Sequence, residues 1–250
     1  MRILIVLDHP YTLASAADVP HRRSFTAAVA AAAIRGAEAA GHDVDLVDLA
    51  ADGFAPAMTA ADLAAWRQAH VVDPQVAEYQ RRLLAADHLV FAFPVWWEAM
   101  PAATKGFLDR VLTKGVLFDE LPGAKGNPFR PLMPRLAGVT VLSVMTTPDK
   151  AYRWWYRDPL TKILFKGTFG KIGVKNLTWV NYDKVAARTP EQRERLLRDT
   201  EARFARLSPT TVSPTPAPAS APTPTASRSS SPAPAAAPSP SPERAAPRSR

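Results

Sequence analysis

The strongest constraint on this chain is a rhythm. Short apolar, mostly β-branched runs recur between longer stretches with helical spacing. Residues 2–7 form the first run and lead into Asp8-His9-Pro10, and the alanine-rich residues 24–40, closed by Gly41, have the composition of a helix. Residues 44–49 alternate as a second strand, 74–86 return to helical spacing, and 89–93 are a fully apolar third strand ending at Pro94. Residues 101–112 open with Pro at a helix start, where its missing N–H does no harm. A fourth strand follows at 139–145, a fifth at 177–182, and a charged closing helix at 190–207. Strand and helix in alternation imply an α/β chain with a parallel sheet covered on both faces. Runs without an interrupting polar residue fit strands buried on both sides.

Two doubly wound sheets satisfy that pattern, and the first strand-to-helix turn separates them. Residues 10–23 contain no glycine. A dinucleotide fingerprint needs glycine there for the tight turn and for close approach to pyrophosphate, so the Rossmann version is disfavoured, as is a P-loop. The expectation is therefore a flavodoxin-like, five-stranded sheet in the order 2-1-3-4-5. Its strand order reverses between the first and third strands, and ligands sit beyond their carboxyl ends.

Composition narrows the chemistry. The chain has no cysteine, which removes disulfides, thiolate nucleophiles, Cys-ligated zinc and iron–sulfur clusters. Redox work must then ride on a bound organic cofactor, and no metal is expected. The apolar runs are far shorter than the roughly 20 residues a membrane helix needs, and the N-terminus lacks a signal-peptide pattern. A cytoplasmic protein without an integral membrane segment is expected. The formal charge of +8 suggests nucleic acid until it is divided along the chain: four arginines and one glutamate after residue 207 carry a net +3, leaving +5 on the rest. That remainder concentrates between Lys105 and Lys175, a basic face suited to steering anions or to plain solvation, and no nucleic-acid partner is expected. From Ser208 on, the sequence is almost entirely Pro, Ala, Ser, Thr and Arg, too poor in apolar surface to fold. The organisation expected is a folded domain over 1–207 and a disordered, Pro-rich tail over 208–250.

The unusual residues fall at the predicted switch point. The loop after the first strand ends His21-Arg22-Arg23-Ser24-Phe25-Thr26 as the alanine-rich helix begins. Ser24 is suited to N-cap it, and the free amides of a first helical turn with nearby cations suit a phosphate. An ordinary capped helix has the same features, and His9 by itself reads as strand-end structure. The third strand ends Phe93-Pro94-Val95-Trp96-Trp97-Glu98-Ala99-Met100-Pro101. Adjacent tryptophans point in different directions, so both do not fit one core, and the flanking prolines stiffen the segment. Such a loop suits a flat heteroaromatic ring, with backbone amides at its polar edge and aromatic faces against it. Packing over a sheet edge is the competing use.

These residues carry a resemblance. The string from Phe93 through Pro101-Ala102-Ala103-Thr104-Lys105-Gly106-Phe107-Leu108-Asp109-Arg110-Val111-Leu112, with residues 2–10 and Ser24-Phe25-Thr26, resembles the flavodoxin-like NAD(P)H:quinone oxidoreductases. The family includes mammalian quinone reductase and bacterial modulator-of-drug-activity proteins, and the likeness extends over about 1–207. The resemblance implies flavin phosphate and adenylate contacts at His9, Ser24, Phe25 and Thr26, where Thr26 replaces a more usual Asn. It implies an isoalloxazine loop at Pro94, Val95, Trp96 and Trp97, and a closing loop at Thr146 and Thr147. It favours FAD over FMN, implies a homodimer and places Tyr152 as the catalytic tyrosine; Trp154-Trp155-Tyr156 suits an aromatic anchor for such a dimer, and equally a lid or a core cluster. Lys150, Arg153 and Arg157 are candidates for the flavin's N1 edge or a cofactor phosphate, and equally for plain solvated surface. The chain departs from the family at Pro148-Asp149, where a glycine pair is usual. It also lacks any His after His88, and its loop between Pro10 and Arg23 is longer.

The implied activity is two-electron reduction of a quinone or similar electron-poor acceptor by NAD(P)H, with hydride passing through flavin N5 at one shared site. Two other readings compete. One is a flavin-binding regulatory subunit of a potassium-efflux antiporter. The other is a one-electron carrier like flavodoxin, which the basic composition disfavours.

Overall fold

The computed structural model describes residues 1–20 and 23–208. His21 and Arg22, expected beside the first helix, and residues 209–250, expected to be disordered, lie outside the described residues. In chain order the elements are β1 (Arg2–Leu7), α1 (Phe25–Ala39), β2 (Asp43–Asp48), α2 (Ala60–Trp66), α3 (Pro74–Ala85), β3 (His88–Pro94), α4 (Ala102–Val111), β4 (Phe118–Glu120), β5 (Phe129–Pro131), β6 (Gly138–Met145), α5 (Asp149–Trp154), a π-helix (Thr161–Phe169), β7 (Asn176–Asp183) and α6 (Pro190–Ala205). Two short 3₁₀ turns, Leu13–Ala17 and Val185–Ala187, complete the list.

The sheet is five-stranded and parallel in the order β2-β1-β3-β6-β7. This is the expected flavodoxin-like order, with β6 and β7 as the fourth and fifth strands. The added numbers come from a small antiparallel hairpin, β4 with β5, which pairs Phe118 with Pro131 and Glu120 with Phe129. Three-residue strands containing Asp, Glu and Arg carry no apolar run, which is why the sequence does not reveal them.

The continuous apolar character of β1 and β3 follows from burial on both faces. Leu4 and Val6 of β1 and Leu89, Phe91 and Phe93 of β3 point into a core with Val76, Leu83, Phe107 and Phe169. Ile3, Ile5, Leu7, Val90 and Ala92 point into the opposite core beneath α1 and α6. Alanine dominates α1 because α6 lies very close. A Cβ on Gly36 would collide with the backbone of Glu201, so only a bare backbone fits there. With α1 and α6 on one face, and α3, α4 and the π-helix on the other, the open surface of the sheet is the rim of loops beyond the carboxyl ends of β1, β3 and β6.

Candidate functional site

Hydrogen bonds tie that rim together. The Asp8 amide donates to the Ala92 carbonyl at 2.9 Å and continues the β1–β3 ladder. The Asp8 carboxylate crosses to the start of α4, accepting from the amide and hydroxyl of Thr104 at 2.6 and 2.7 Å. Pro101, the N-cap of α4, has no side-chain acceptor of its own. Asp8 therefore supplies the missing cap from another strand. Burial pushes the Asp8 carboxyl up in pKa, against the lowering effect of the two Thr104 bonds. On the other side, the Val95 amide donates to the Val144 carbonyl at 2.8 Å and extends the β3–β6 pairing past Pro94.

Beyond Val95 the chain makes a two-residue turn. Trp96 and Ala99 exchange both backbone hydrogen bonds, at 3.0 and 3.1 Å. The two residues between them, Trp97 and Glu98, have φ of 52° and 60°. Tight hairpin turns demand this left-handed backbone and normally place Gly, Asn or Asp there. A bulky aromatic in that region is strained, and strain of this kind is held where the surroundings fix it. Trp97 is fully solvent-exposed and Trp96 is 47% exposed, which removes the competing use of the pair as core packing.

The fixing groups are on the loop after β6 and on α5. The Thr147 hydroxyl donates to Glu98 Oε1 at 2.8 Å. The Tyr152 hydroxyl donates to the Glu98 carbonyl at 2.8 Å and accepts from the Leu160 amide at 3.1 Å. Tyr152 is completely buried, with its ring packed against Trp179, and burial raises its hydroxyl pKa well above the usual tyrosine value. Tyr152, expected as the catalytic tyrosine, is held between Glu98 and Leu160. A hydroxyl engaged in both directions and sealed from solvent acts as a tether for the aromatic turn.

The amides expected to meet a ring edge are also redistributed. Pro94 has none, and those of Val95 and Trp96 are spent within the turn and sheet. The Trp97 and Glu98 amides have no acceptor among the described residues. Thr146 is exposed and Thr147 half-buried at the same rim. Pro148-Asp149, in place of flexible glycine, begins α5. The Asp149 amide donates to Asp183 at 3.0 Å, and its carboxylate accepts from Arg153 and Asn181. Burial alone would raise the pKa of Asp149, yet the bonds from Arg153 and Asn181 bring it below the usual range. Arg153 is thereby committed, with its guanidinium 4.2 Å from the Trp179 ring centroid. Lys150 and Arg157 are exposed.

At the β1 side, Ser24 caps α1 as expected by accepting from the Ala27 amide at 3.0 Å. The Phe25 and Thr26 amides precede the repeating helical bonds and have no acceptor among the described residues. Both side chains are buried, so these residues offer backbone rather than side chain. His9 Nδ1 accepts from the Tyr11 amide at 3.2 Å. Burial lowers the pKa of His9, and a neutral ring bonded this way carries its proton on Nε2 and presents one donor. The long loop after β1 is pinned by Asp48 at the end of β2, which accepts from the Leu13 amide at 2.6 Å and the Ala51 amide at 3.2 Å.

Asp8, Thr104, Glu98 and Asp48 are the site residues that sequence reading did not single out. Asp8 and Glu98 stand inside the quoted strings, but their roles depend on partners 96 and 49 residues away. Conversely, Lys105-Gly106 in the signature serves packing. A Cβ on Gly106 would strike Pro56, and Lys105 pairs with Asp109 on the surface.

Comparison with known proteins agrees with this architecture. The model of the Flavodoxin_2 family, described as a flavodoxin-like fold, matches residues 1–207. An uncharacterized NAD(P)H oxidoreductase, YcaK, of Escherichia coli (strain K12) is 34% identical over 102 residues, covering 40% of this chain. The chain spans about half the length of that relative, 52%. Among solved structures, an NAD(P)H:quinone oxidoreductase from Methanothermobacter marburgensis superposes with a TM-score of 0.69 at 22% identity, covering 83% of this chain and 99% of that one. An FMN-dependent NADH-azoreductase from Bacillus anthracis, solved in complex with FMN, gives 0.64 at 15% identity, covering 82% and 99%. At these identities the two structures share the fold with this chain. Among the described residues, no helix is long and apolar enough to cross a membrane.

Proposed function

Because the chain belongs to the Flavodoxin_2 family, we propose that it is a flavin-dependent NAD(P)H oxidoreductase that reduces quinones or similar electron-poor acceptors. The observation that carries the reading is the strained turn Trp96–Ala99, held open to solvent by Thr147 and Tyr152 at the carboxyl end of the sheet. Its residues fit a flavin. Two free amides at Trp97 and Glu98 and the exposed tryptophan faces match a polar-edged planar ring. The free amides of Phe25 and Thr26 at the start of a 15-residue helix, with the Nε2–H of His9 nearby in sequence order after β1, match an anionic phosphate.

When bound, the flavin would supply the hydride chemistry at a site shared by NAD(P)H and acceptor. The chain's own part is positional. The Phe25 and Thr26 amides, at the turn capped by Ser24, would hold phosphate; Val95 fixes the turn to the sheet; Trp96, Trp97, Thr146 and Thr147 would line the ring's side of the site. No side chain with a titrating proton is proposed at the reacting atoms, since Tyr152 is enclosed, and solvent carries the proton. FAD is proposed as the resident flavin, on the resemblance at His9 and 24–26. Chromatography of the released flavin distinguishes it from FMN, the cofactor in the Bacillus anthracis structure. A homodimer is also proposed. Trp154 and Trp155 are 89% and 83% exposed beside the half-exposed Tyr156, an aromatic patch of the kind that anchors interfaces.

The test is steady-state oxidation of NADH and NADPH with menadione by flavin-loaded protein. Ping-pong kinetics with two-electron reduction are expected. A loaded protein that oxidises neither nucleotide would overturn the reading.

A further inference from the structure

Glu98 has more fixing than a turn residue requires and less neutralisation than a carboxylate normally finds. Its carbonyl is held by Tyr152, and Oε1 accepts from Thr147 at 2.8 Å. Oε2 is shielded from water and has no hydrogen-bond partner among the described residues. No Lys or Arg among the described residues forms an ion pair with Glu98, and Arg153 on the adjacent helix is turned to Asp149 and Trp179. A half-buried carboxylate with one oxygen closed off from water and no ion-pair partner among the described residues has a field that is less screened than that of an exposed, paired one. Directly beside it stand Trp96 and Trp97, whose exposed ring faces attract cations.

From this juxtaposition we propose that Glu98 is a specificity-determining residue. With the two tryptophans it makes the acceptor site prefer planar, electron-poor heteroaromatics that carry a positive charge and disfavour those that carry a negative one. The inference rests on reading this rim as the acceptor site. Its logic is a difference of affinities: the tryptophan faces hold any flat ring, and the carboxylate sorts rings by charge. Glu98 acts by position and charge and takes part in no bond-making step.

The test uses three flat probes: N-methylphenazinium as cation, menadione as neutral molecule and 1,2-naphthoquinone-4-sulfonate as anion. Equilibrium dissociation constants are read from quenching of tryptophan fluorescence, on the protein as purified and after flavin loading. The cation is expected to bind about tenfold more tightly than the anion, the scale of one weakly screened charge with an aromatic face. Raising the salt toward 1 M should narrow that gap. Glu98→Gln retains an oxygen acceptor for Thr147 and is expected to bring cation and anion within about twofold of each other, each read relative to menadione in the same protein. Equal binding of cation and anion by the wild-type protein would overturn the proposal without any variant, as would a preference that survives Glu98→Gln in folded protein. A protein that sorts the probes but never takes up flavin would overturn the proposed function and with it the acceptor-site reading, leaving only a charge preference of the rim. A loaded enzyme that turns over menadione yet ignores probe charge would overturn this inference and leave the proposed function standing.

Discussion

Within the single stretch 93–112, the first eight residues and the last twelve are held in opposite ways. From Phe93 to Met100 the chain leaves the sheet, passes through two left-handed residues and exposes Trp97 completely, with tethers arriving from Thr147 and Tyr152. From Pro101 to Leu112 it is capped by Asp8, and Phe107 and Val111 are sealed in the core. Arg110 is enclosed there with Asp62, Asp73 and the Ala55 carbonyl, its guanidinium 5.6 Å from the Phe54 ring centroid. Both halves read equally well as family signature. The second half is accounted for by its Asp8 cap, its ion pairs and its core packing, whereas the first is a strained, exposed arrangement that packing does not account for. Strain that survives without a packing reason points to a ligand.

That contrast is open to attack at both ends. The largest effect is expected for Arg110→Ala, which strands Asp62 and Asp73 against a buried gap. Breaking a buried pair of this kind costs about 3–5 kcal/mol, measurable by urea denaturation, while flavin affinity of the folded fraction stays unchanged. Lost flavin binding with intact stability would reverse the assignment of the two halves.

A pH-dependent effect sits at the amino end of β3, opposite the turn. Burial pushes the His88 ring down to about 4, with Nε2 at 2.9 Å from the Thr140 hydroxyl. The folded protein therefore holds this ring neutral. Its contribution is complete above the ordinary histidine pKa of about 6.5 and is lost as pH falls through that value toward about 4, a change on the order of 3 kcal/mol. His88→Gln should flatten stability over that window, and an unchanged slope would remove His88 from the account.

Tyr152→Phe is expected to destabilise by about 1–2 kcal/mol, because the Glu98 carbonyl and Leu160 amide lose their shared partner. It should also weaken flavin binding by loosening the turn, while the shape of the pH–rate profile stays the same. A profile that loses a limb would restore Tyr152 as a proton donor. The smallest effect runs the other way. Trp97→Gly relieves a left-handed aromatic and should stabilise the protein by up to about 1 kcal/mol, yet bind flavin less tightly. Destabilisation in that variant would place Trp97 with the packed half.

These two halves also mark what the sequence made legible. The parallel sheet and its order were readable because β1, β3 and β6 are apolar on both faces, a pattern that needs no knowledge of partners. The glycine-free loop after β1 was equally informative, since it excluded a chemistry rather than requiring a contact. The hairpin β4–β5 and the π-helix over Thr161–Phe169 leave no such periodic trace. At the rim, the exposed tryptophans were foreseen from their adjacency, and the Ser24 cap from residue type. The bonds of Tyr152 were not legible, because the direction of its hydroxyl depends on Glu98, 54 residues earlier in the chain. Glu98 itself has no distinguishing residue pattern, and its isolation becomes visible only once its neighbours are placed.

The central claim, that the strained rim is built for a flavin, is tested most directly by titrating the purified protein with FAD and with FMN and reading bound-flavin absorbance after removal of free ligand. The account predicts saturation at one flavin per chain, accompanied by quenching of tryptophan emission that is reduced in Trp97→Gly. A protein that remains colourless through both titrations would contradict it.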